Sequence, residues 1–199
     1  MGNLVLNCRV QLSELLDGPV DRFSRAIEVD IGIYDDTAEN EVLNIGTLEA
    51  HLFHISGMYN EHYGFADFYD CQSRHLADAL EQIYDLELST FHERIIQKGG
   101  FAIEEQIEWH LNLSRIDIEL AHRGERYGVR ALKLMRQYIE RSGLIVTAKA
   151  HPEPRDAPRK PKRSEVKKLR DYYASEPALG FKRLGSPADG WLVANWSTV

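Results

Sequence analysis

The chain of 199 residues is 43% hydrophobic and 28% charged, which is typical of a globular protein and unlike a disordered or fibrous chain. Its length suits one compact domain over residues 1–199. No run of about 18 apolar residues occurs and the first residues lack a secretory pattern, so we expect a cytoplasmic protein with no membrane partner. Cys8 and Cys71 lack metal-ligand spacing, and we expect both to be reduced thiols.

The net charge of −7 is distributed unevenly along the chain. Residues 1–110 contain 21 Asp and Glu against 6 Lys and Arg, whereas residues 111–199 contain 10 against 18. An acidic total is untypical of a nucleic-acid-binding protein, so we expect no nucleic-acid partner. Either one half suits a cationic partner and the other an anionic one, or the halves are solvated surfaces of opposite sign.

The N-terminal part of the chain predicts strands. Residues 4–12 suggest a first strand, and residues 26–34 alternate between apolar and polar side chains. A return strand lies within residues 42–55, after the polar turn 35–40, so the pattern predicts a β-hairpin. Residues 57–70 then predict an ordered aromatic loop that either packs over the sheet or forms the rim of a binding site.

The remaining elements alternate between helices and strands. Helical spacing and caps predict helices, and apolar runs between glycines predict strands and a terminal hairpin. The helices are expected at residues 73–86, 91–98, 129–141 and from the N-cap Ser164 onward, the strands at 109–121 and 144–150, and the hairpin at 179–184 with 190–196. This order predicts a mixed α/β or α+β sheet.

The strand at residues 109–121 contains a change of phase. Its apolar residues occupy odd positions up to Leu113 and even positions from Ile116 onward. Because side chains alternate between the two faces of a strand, such a change requires one extra residue. We therefore expect a β-bulge or a break near Ser114 and Arg115.

The segment after this strand carries the chemistry that can be recognised. The strand leads through a loop with Arg123, Gly124 and Gly128 straight into a helix. Glycines allow a tight turn and close approach to a ligand, and the N-terminus of a helix offers N–H groups to an anion. The loop is neither a Walker loop nor a full dinucleotide fingerprint, so by itself it is only a weak indication of phosphate binding.

This segment resembles the GNAT superfamily of acyl-CoA-dependent N-acetyltransferases. Their signature at the junction between strand and helix is Arg/Gln-x-x-Gly-x-Gly/Ala. Arg123 fills its first position and Gly128 its last, whereas Arg126 stands where the middle glycine is usual. Residues 172–181 resemble the family's ending of helix, tyrosine, short linker and Gly-Phe. The resemblance covers residues 109–196.

The resemblance implies a GNAT-like α/β (α+β) fold with a mixed, mostly antiparallel central sheet, flanked by helices and splayed at the central strands. Residues 1–108 would form an acceptor-side half with a helical insertion, and residues 109–199 an acetyl-CoA-binding half. The implied activity is direct transfer of an acetyl group from acetyl-CoA, the donor substrate, to an amine in a ternary complex without a metal. The alternative is a non-catalytic CoA-binding or protein-interaction module. Dimers are common in the family, so a homodimer is one expected state.

The resemblance also implies site residues. The backbone of Ile118 and Leu120 would bind the pantetheine arm. The loop and the start of the helix would hold the pyrophosphate, through Arg123, Gly124, Glu125, Arg126, Tyr127, Gly128 and Val129. Tyr173, next to Tyr172, matches the tyrosine that protonates the departing thiolate. Either Glu119, which shares a strand face with Asp117, or His110 would be the base.

Three further predictions concern the charge of the acceptor, the binding of the 3′-phosphate of CoA and a metal site. The acidic half predicts a cationic acceptor, either a small-molecule amine or an amine of a peptide or protein. Basic residues between positions 155 and 168 either contact the 3′-phosphate of CoA or form a solvated loop. His51, His54 and His62 suggest a metal site, but His51 and His54 point to opposite faces of a strand, so we expect none.

Overall fold

A computed structural model describes residues 4–11, 23–34, 42–61, 74–85, 87–88, 90–150, 152, 161–185 and 189–198. Within these residues one sheet has seven strands and a second has two. The large sheet contains β1 (Leu4–Gln11), β2 (Ser24–Tyr34), β3 (Val42–His54), β6 (Trp109–Ile118), β7 (Leu144–Lys149), β8 (Lys182–Arg183) and β9 (Trp191–Asn195). The small sheet pairs β4 (Tyr84–Asp85) with β5 (Thr90–Phe91).

Five α-helices occur in the same described residues. They are α1 (Ile55–Asn60), α2 (Arg74–Ile83), α3 (Glu93–Gly99), α4 (Tyr127–Ile139) and α5 (Arg163–Ala174). The order of strands in the large sheet is β1-β2-β3-β6-β7-β9-β8, and each neighbouring pair is antiparallel except β6 and β7. The expected mixed, mostly antiparallel sheet is thus present, and so are both predicted hairpins.

The predicted bulge lies at Ser114. β6 pairs with β3 along its whole length, but Glu49 faces Arg115 while Ala50 faces Leu113, which leaves Ser114 as the extra residue. The bulge confirms the prediction from the change of phase. It also coincides with the end of the pairing between β6 and β7, whose last partners are Leu113 and Ala148.

Buried side chains form two apolar clusters, one on each face of the large sheet. On one face, residues of α4 such as Leu132 and Met135 pack on the sheet, and α5 contributes partly buried residues. On the other face, α1, α2 and α3 cover the sheet with residues such as Met58, Leu80 and Ile95. The helices of residues 55–99 and those of residues 127–174 therefore lie on opposite sides.

Several predicted boundaries were wrong. α5 begins at Arg163 with Lys162 as its N-cap, so Ser164 lies inside the helix and is not the cap. The carboxylate of Glu165 accepts a hydrogen bond from the Lys162 backbone N–H at 2.8 Å, which stabilises this earlier start. β6 ends at Ile118 rather than residue 121, because the chain turns into a 3₁₀ helix at Leu120–His122.

Part of the predicted aromatic loop is helical. α1 takes up residues 57–60, and the Tyr59 hydroxyl lies 2.7 Å from the Tyr84 hydroxyl. Residues 62–70 lie outside the described residues, as do Cys71 and the side chain of Cys8. Among the described residues no helix is long and apolar enough to cross a membrane.

Candidate functional site

A cavity of about 860 Å³ opens where β6 and β7 separate. One wall is the second half of β6, from Ser114 to Ile118, which pairs with β3 but has passed the end of its pairing with β7. The loop at residues 122–126 and the start of α4 form another wall, and Tyr172 and Tyr173 of α5 a third. The edge of a strand and the N-terminus of a helix therefore face the same space.

Helix geometry supplies free donors at this wall. The first hydrogen bond inside α4 joins the Arg130 N–H to the Arg126 carbonyl at 3.0 Å. The N–H groups of Tyr127, Gly128 and Val129 precede it and have no acceptor within the helix. Together with the helix dipole they favour a bound anion, with roughly 0.3–1 kcal/mol for each exposed charge interaction.

Gly128 is in close contact with the opposite wall. A Cβ atom placed on it would lie 3.3 Å from Tyr173 Oη and 3.6 Å from Ile116 Cγ2. A larger side chain at this position would therefore enter the space between α4, β6 and α5. The glycine thus permits the close approach of α4 to Tyr173 and Ile116.

Arg126 departs from the GNAT signature in residue type but has the backbone geometry of a glycine. Its φ of 61° and ψ of 21° are left-handed, and among the described residues no other non-glycine has a positive φ. For a residue with a side chain this costs roughly 1–2 kcal/mol. Its guanidinium forms an ion pair with Glu176, which also pairs with Lys133 Nζ at 2.8 Å.

Tyr173 projects its hydroxyl towards the start of α4. Its ring makes an edge contact with the ring of Tyr172, at 5.2 Å between centroids. Burial, together with the neighbouring Tyr172, raises the pKa of the Tyr173 hydroxyl above its ordinary value of 10. Tyr173 is therefore protonated at neutral pH and able to donate a proton.

A chain of hydrogen bonds leads from the cavity into the sheet. The Thr147 hydroxyl donates to Asn112 Oδ1 at 3.1 Å, and Asn112 Nδ2 donates to Ser114 Oγ at 3.3 Å. Ser114 Oγ lies 3.2 Å from His51 Nδ1. The Ser114 hydroxyl donates to His51 when the proton of the neutral imidazole is on Nε2, and accepts from it when the proton is on Nδ1.

His110 occupies the inner end of this chain. Its Nε2 lies 2.7 Å from Thr147 Oγ1, and because the Thr147 hydrogen is directed to Asn112, His110 Nε2–H is the donor. The side chain is fully buried, and burial lowers its pKa to about 3. His110 is thus a neutral structural histidine at neutral pH, and it is not part of the cavity wall.

Charged side chains line the mouth of the cavity. Arg123 Nε donates to the Ile118 carbonyl at 2.7 Å, and its Nη2 donates to Asp117 Oδ1 at 3.3 Å. Arg115 lies 3.9 Å from a carboxylate oxygen of both Glu49 and Asp117. Both signs of charge are therefore present beside the open edge of β6.

Most of the residues selected from the sequence surround the cavity. Those in its walls are Ile118, Arg123, Gly124, Arg126, Tyr127, Gly128 and Tyr173. Glu119, Leu120 and Glu125 are exposed and lie outside its lining, and Val129 is buried in α4. The Glu119 N–H donates to the Ile45 carbonyl at 2.9 Å, so its backbone extends the pairing of β6 with β3.

His51 and Ser114 are among the polar cavity residues that were not predicted as site residues from the sequence. His51 was considered only as a metal ligand, and Ser114 only as the place of a bulge. The register that brings β3 beside β6 joins them, and this register cannot be obtained from either strand alone. The bulge was the available signal, since bulges often lie next to active sites.

The remaining predicted features lie elsewhere. Among the described side chains, no group of three or more His, Cys, Asp and Glu is arranged to hold a metal ion, and His62 is outside that set. Lys162, Arg163, Lys167 and Lys168 are exposed and do not line the cavity. The basic residues at 155, 159 and 160 lie outside the described residues.

Comparison with known proteins gave no match of any kind: no family model, no curated protein and no solved structure matches this chain. A functional proposal for it therefore rests on its own residues and geometry.

Proposed function

We propose that this chain is a GNAT-like N-acetyltransferase that transfers an acetyl group from acetyl-CoA directly to an amine. The observation that carries the proposal is the cavity between the diverging β6 and β7, where the open edge of a strand faces the N-terminus of α4 and the hydroxyl of Tyr173. The residues that match the first and last positions of the GNAT signature, Arg123 and Gly128, and the residue that matches the family tyrosine, Tyr173, line this cavity. The end of the pairing between β6 and β7 at Leu113 and Ala148, beside this cavity, is compatible with the same fold.

The two walls suit the two ends of acetyl-CoA. The pantetheine arm contains amides, which can add to the open edge of β6 between Ser114 and Ile118 as a further strand would. The pyrophosphate is an anion, and the N–H groups at the start of α4, from Tyr127 to Val129, are suited to receive it. Because Gly128 has no side chain, its backbone can approach the phosphates closely.

The chemistry needs a proton acceptor and a proton donor. The amine nitrogen attacks the thioester carbonyl, a C–N bond forms, the C–S bond breaks, and the amine loses a proton while the thiolate gains one. Tyr173, whose protonated hydroxyl lies beside Gly128, would supply the proton to the thiolate. The acetyl oxygen gains negative charge during the attack, and N–H donors of the open strand would stabilise it.

Two groups are candidates for the proton acceptor. Glu119 is the candidate from the sequence, on the exposed turn after β6. His51 is favoured by geometry, because it lines the cavity and lies 3.2 Å from Ser114 Oγ. In that route Ser114 Oγ takes the proton of the amine while its own proton passes to His51 Nδ1. His51→Gln should then lower kcat far more than Glu119→Gln, and the reverse order would return the role to Glu119.

A cationic acceptor fits the acidic groups beside the open strand. Glu49 and Asp117 line the cavity and would attract a cation, whereas four basic residues of the same lining, Arg115, Arg123, Arg126 and Lys149, suit the anionic CoA. Polyamines, aminoglycosides and lysine-containing peptides are the panel to screen, with release of the CoA thiol as the measurement. Activity restricted to neutral or acidic amines would overturn the expectation. Tight binding of acetyl-CoA without thiol release on any amine would favour the non-catalytic CoA-binding module.

The decisive experiment is calorimetric titration with acetyl-CoA. The wild type should bind, and Gly128→Asp should lose binding because a carboxylate would enter the space of the pyrophosphate and approach Tyr173 Oη. Gln137→Asp is the matched control, since it adds the same charge to an exposed position of the same helix. Circular dichroism checks that both variants fold. No binding to the wild type would refute the proposed function.

A further inference from the structure

Arg126 has a backbone conformation that its residue type does not favour. It is the residue before α4, with a left-handed φ of 61°, and its carbonyl accepts the first hydrogen bond of the helix. The N–H groups that follow it at Tyr127 and Gly128 owe their direction to this turn. A glycine adopts such a turn freely, whereas an arginine needs something that holds it there.

Glu176 makes the contact that meets this need. It follows α5, is 8% exposed, and its two carboxylate oxygens take separate partners: Oε2 pairs with Arg126 Nη2 and Oε1 pairs with Lys133 Nζ. Lys133 belongs to α4 itself, so one carboxylate connects the turn before the helix to the body of the helix. The Lys133 and Arg126 contacts lower the pKa of Glu176, which is therefore ionised at neutral pH.

The segment that carries Glu176 is attached to α4 at a further point. Arg136 Nη1 donates to the Ala178 carbonyl at 2.6 Å, and the Glu176 N–H donates to the Tyr173 carbonyl at 3.3 Å. Glu176 is thus held from both sides, by α4 and by the end of α5. A carboxylate fixed in this way can act as an anchor for the exposed Arg126 side chain.

We propose that Glu176 is a positioning residue: its ion pair with Arg126 holds the left-handed turn that directs the N–H groups at the start of α4 into the cavity. In this chain the pair of Arg126 and Glu176 replaces the conformational freedom of a glycine. The inference rests on the proposed function, because the ligand of those N–H groups is taken to be the pyrophosphate of CoA. The rival explanation is that Arg126 contacts the phosphates itself and Glu176 competes with them for its guanidinium.

A double-mutant cycle separates the two explanations. Its members are the wild type, Glu176→Gln, Arg126→Gly and the double variant, each titrated with acetyl-CoA by calorimetry. Glu176→Gln should weaken binding about tenfold, as expected when an unfavoured turn loses its partner. In the Arg126→Gly background the same Glu176→Gln change should alter binding by less than about twofold, because glycine needs no anchor.

Glu140→Gln is the matched control. It removes a carboxylate at the end of α4 that pairs with Arg136 at 3.5 Å, and acetyl-CoA binding should not change. The proposal is overturned if Glu176→Gln weakens binding equally in the wild type and in the Arg126→Gly variant, which would indicate a general structural role. It is also overturned if Glu176→Gln strengthens binding, which is the result expected for the rival explanation.

Amide hydrogen exchange of Arg130, whose N–H bonds to the Arg126 carbonyl at 3.0 Å, provides the second measurement in the ligand-free proteins. Exchange should be faster in Glu176→Gln and return towards the wild-type rate in the double variant. If the wild type binds no acetyl-CoA, the proposed function fails and the pyrophosphate with it. The exchange rates then still decide whether Glu176 holds the turn, and unchanged rates in Glu176→Gln would refute that role.

Discussion

β6 is one strand with two different environments. Its first half, Trp109–Leu113, pairs with β3 on one edge and β7 on the other, and residues 110–113 are buried. Its second half, Ser114–Ile118, keeps only the pairing with β3 among the described strands, and each of its residues lines the cavity. The bulge at Ser114 separates the two halves.

The difference shows how a sheet can provide stability and binding in the same strand. A strand paired on both edges has its backbone N–H and C=O groups hydrogen-bonded within the sheet and its side chains in the core. It therefore stabilises the fold but leaves no unpaired backbone groups for a ligand. A strand with an open edge offers backbone donors and acceptors at the cost of that pairing. We therefore expect substitutions in the first half to change stability, and those around the second half to change binding and catalysis.

The largest effect on stability is expected in the first half. Leu111→Ala leaves a cavity at a fully buried position and should lower the free energy of unfolding by about 2–5 kcal/mol. Acetyl-CoA affinity of the folded protein should remain within about twofold. Ile116→Ala is the matched change in the second half and should give the opposite pattern, a smaller loss of stability with weaker binding. Denaturant titration measures the stability and calorimetry the binding, and equal effects of the two variants would contradict the proposed difference between the two halves of β6.

The largest effect on catalysis is expected beside the second half of β6. Tyr173→Phe removes the hydroxyl beside Gly128 and should lower kcat by about 100-fold or more, as for other general acids. The Kd of acetyl-CoA should change little, because the ring remains. Tyr172→Phe is the control, since it removes a hydroxyl from the neighbouring position. Thiol release and calorimetry measure the two constants, and similar kcat values for both variants would remove Tyr173 from the acid role.

A pH dependence is expected from the first half. Burial lowers the pKa of His110 from an ordinary 6.5 to about 3, so between these values the unfolded chain binds a proton that the folded chain does not. The contribution of His110 to the free energy of unfolding is fully present above pH 6.5. It decreases by about 1.4 kcal/mol per pH unit as the pH falls from 6.5 towards 3. The free energy of unfolding of the His110→Gln variant should therefore depend less steeply on pH between pH 6 and pH 4 than that of the wild type. Parallel curves for the two proteins would show that His110 does not titrate in this way.

The sequence predicted the elements of the sheet well, because their signals are local. Alternation of apolar residues located β2, and the change of phase located the bulge at Ser114 before any pairing was known. The N-terminus of α5 was misplaced because the carboxylate of Glu165 caps the backbone of Lys162, and this cap competes with the serine signal at position 164.

The site was predicted only where a contiguous motif describes it. The loop from Arg123 to Gly128 is such a motif, and most of its residues line the cavity. His51 and Ser114 are 63 residues apart in the chain, and their contact depends on the register of β3 and β6. The ion pair of Arg126 with Glu176 likewise depends on tertiary packing, and no sequence signal pointed to it.

The smallest effect on stability is expected at the end of the second half of β6, where Arg123 makes its contacts. Arg123 contacts the Ile118 carbonyl and Asp117, but its side chain is 45% exposed, so Arg123→Ala should lower the free energy of unfolding by less than about 1 kcal/mol. If Arg123 also meets the charge of CoA, acetyl-CoA binding should weaken severalfold at low salt and less at high salt, because salt screens exposed charges.

Arg123→Lys separates these two roles. It keeps the positive charge but loses the paired contacts to Ile118 and Asp117, since an ammonium cannot reproduce the guanidinium fork. Calorimetry at two salt concentrations should place its Kd between those of the wild type and Arg123→Ala if charge matters. A loss in Arg123→Ala that is the same at both salt concentrations would mean that Arg123 only fixes the end of β6. In that case the open edge of the strand, rather than the charge beside it, would determine how the cofactor is bound.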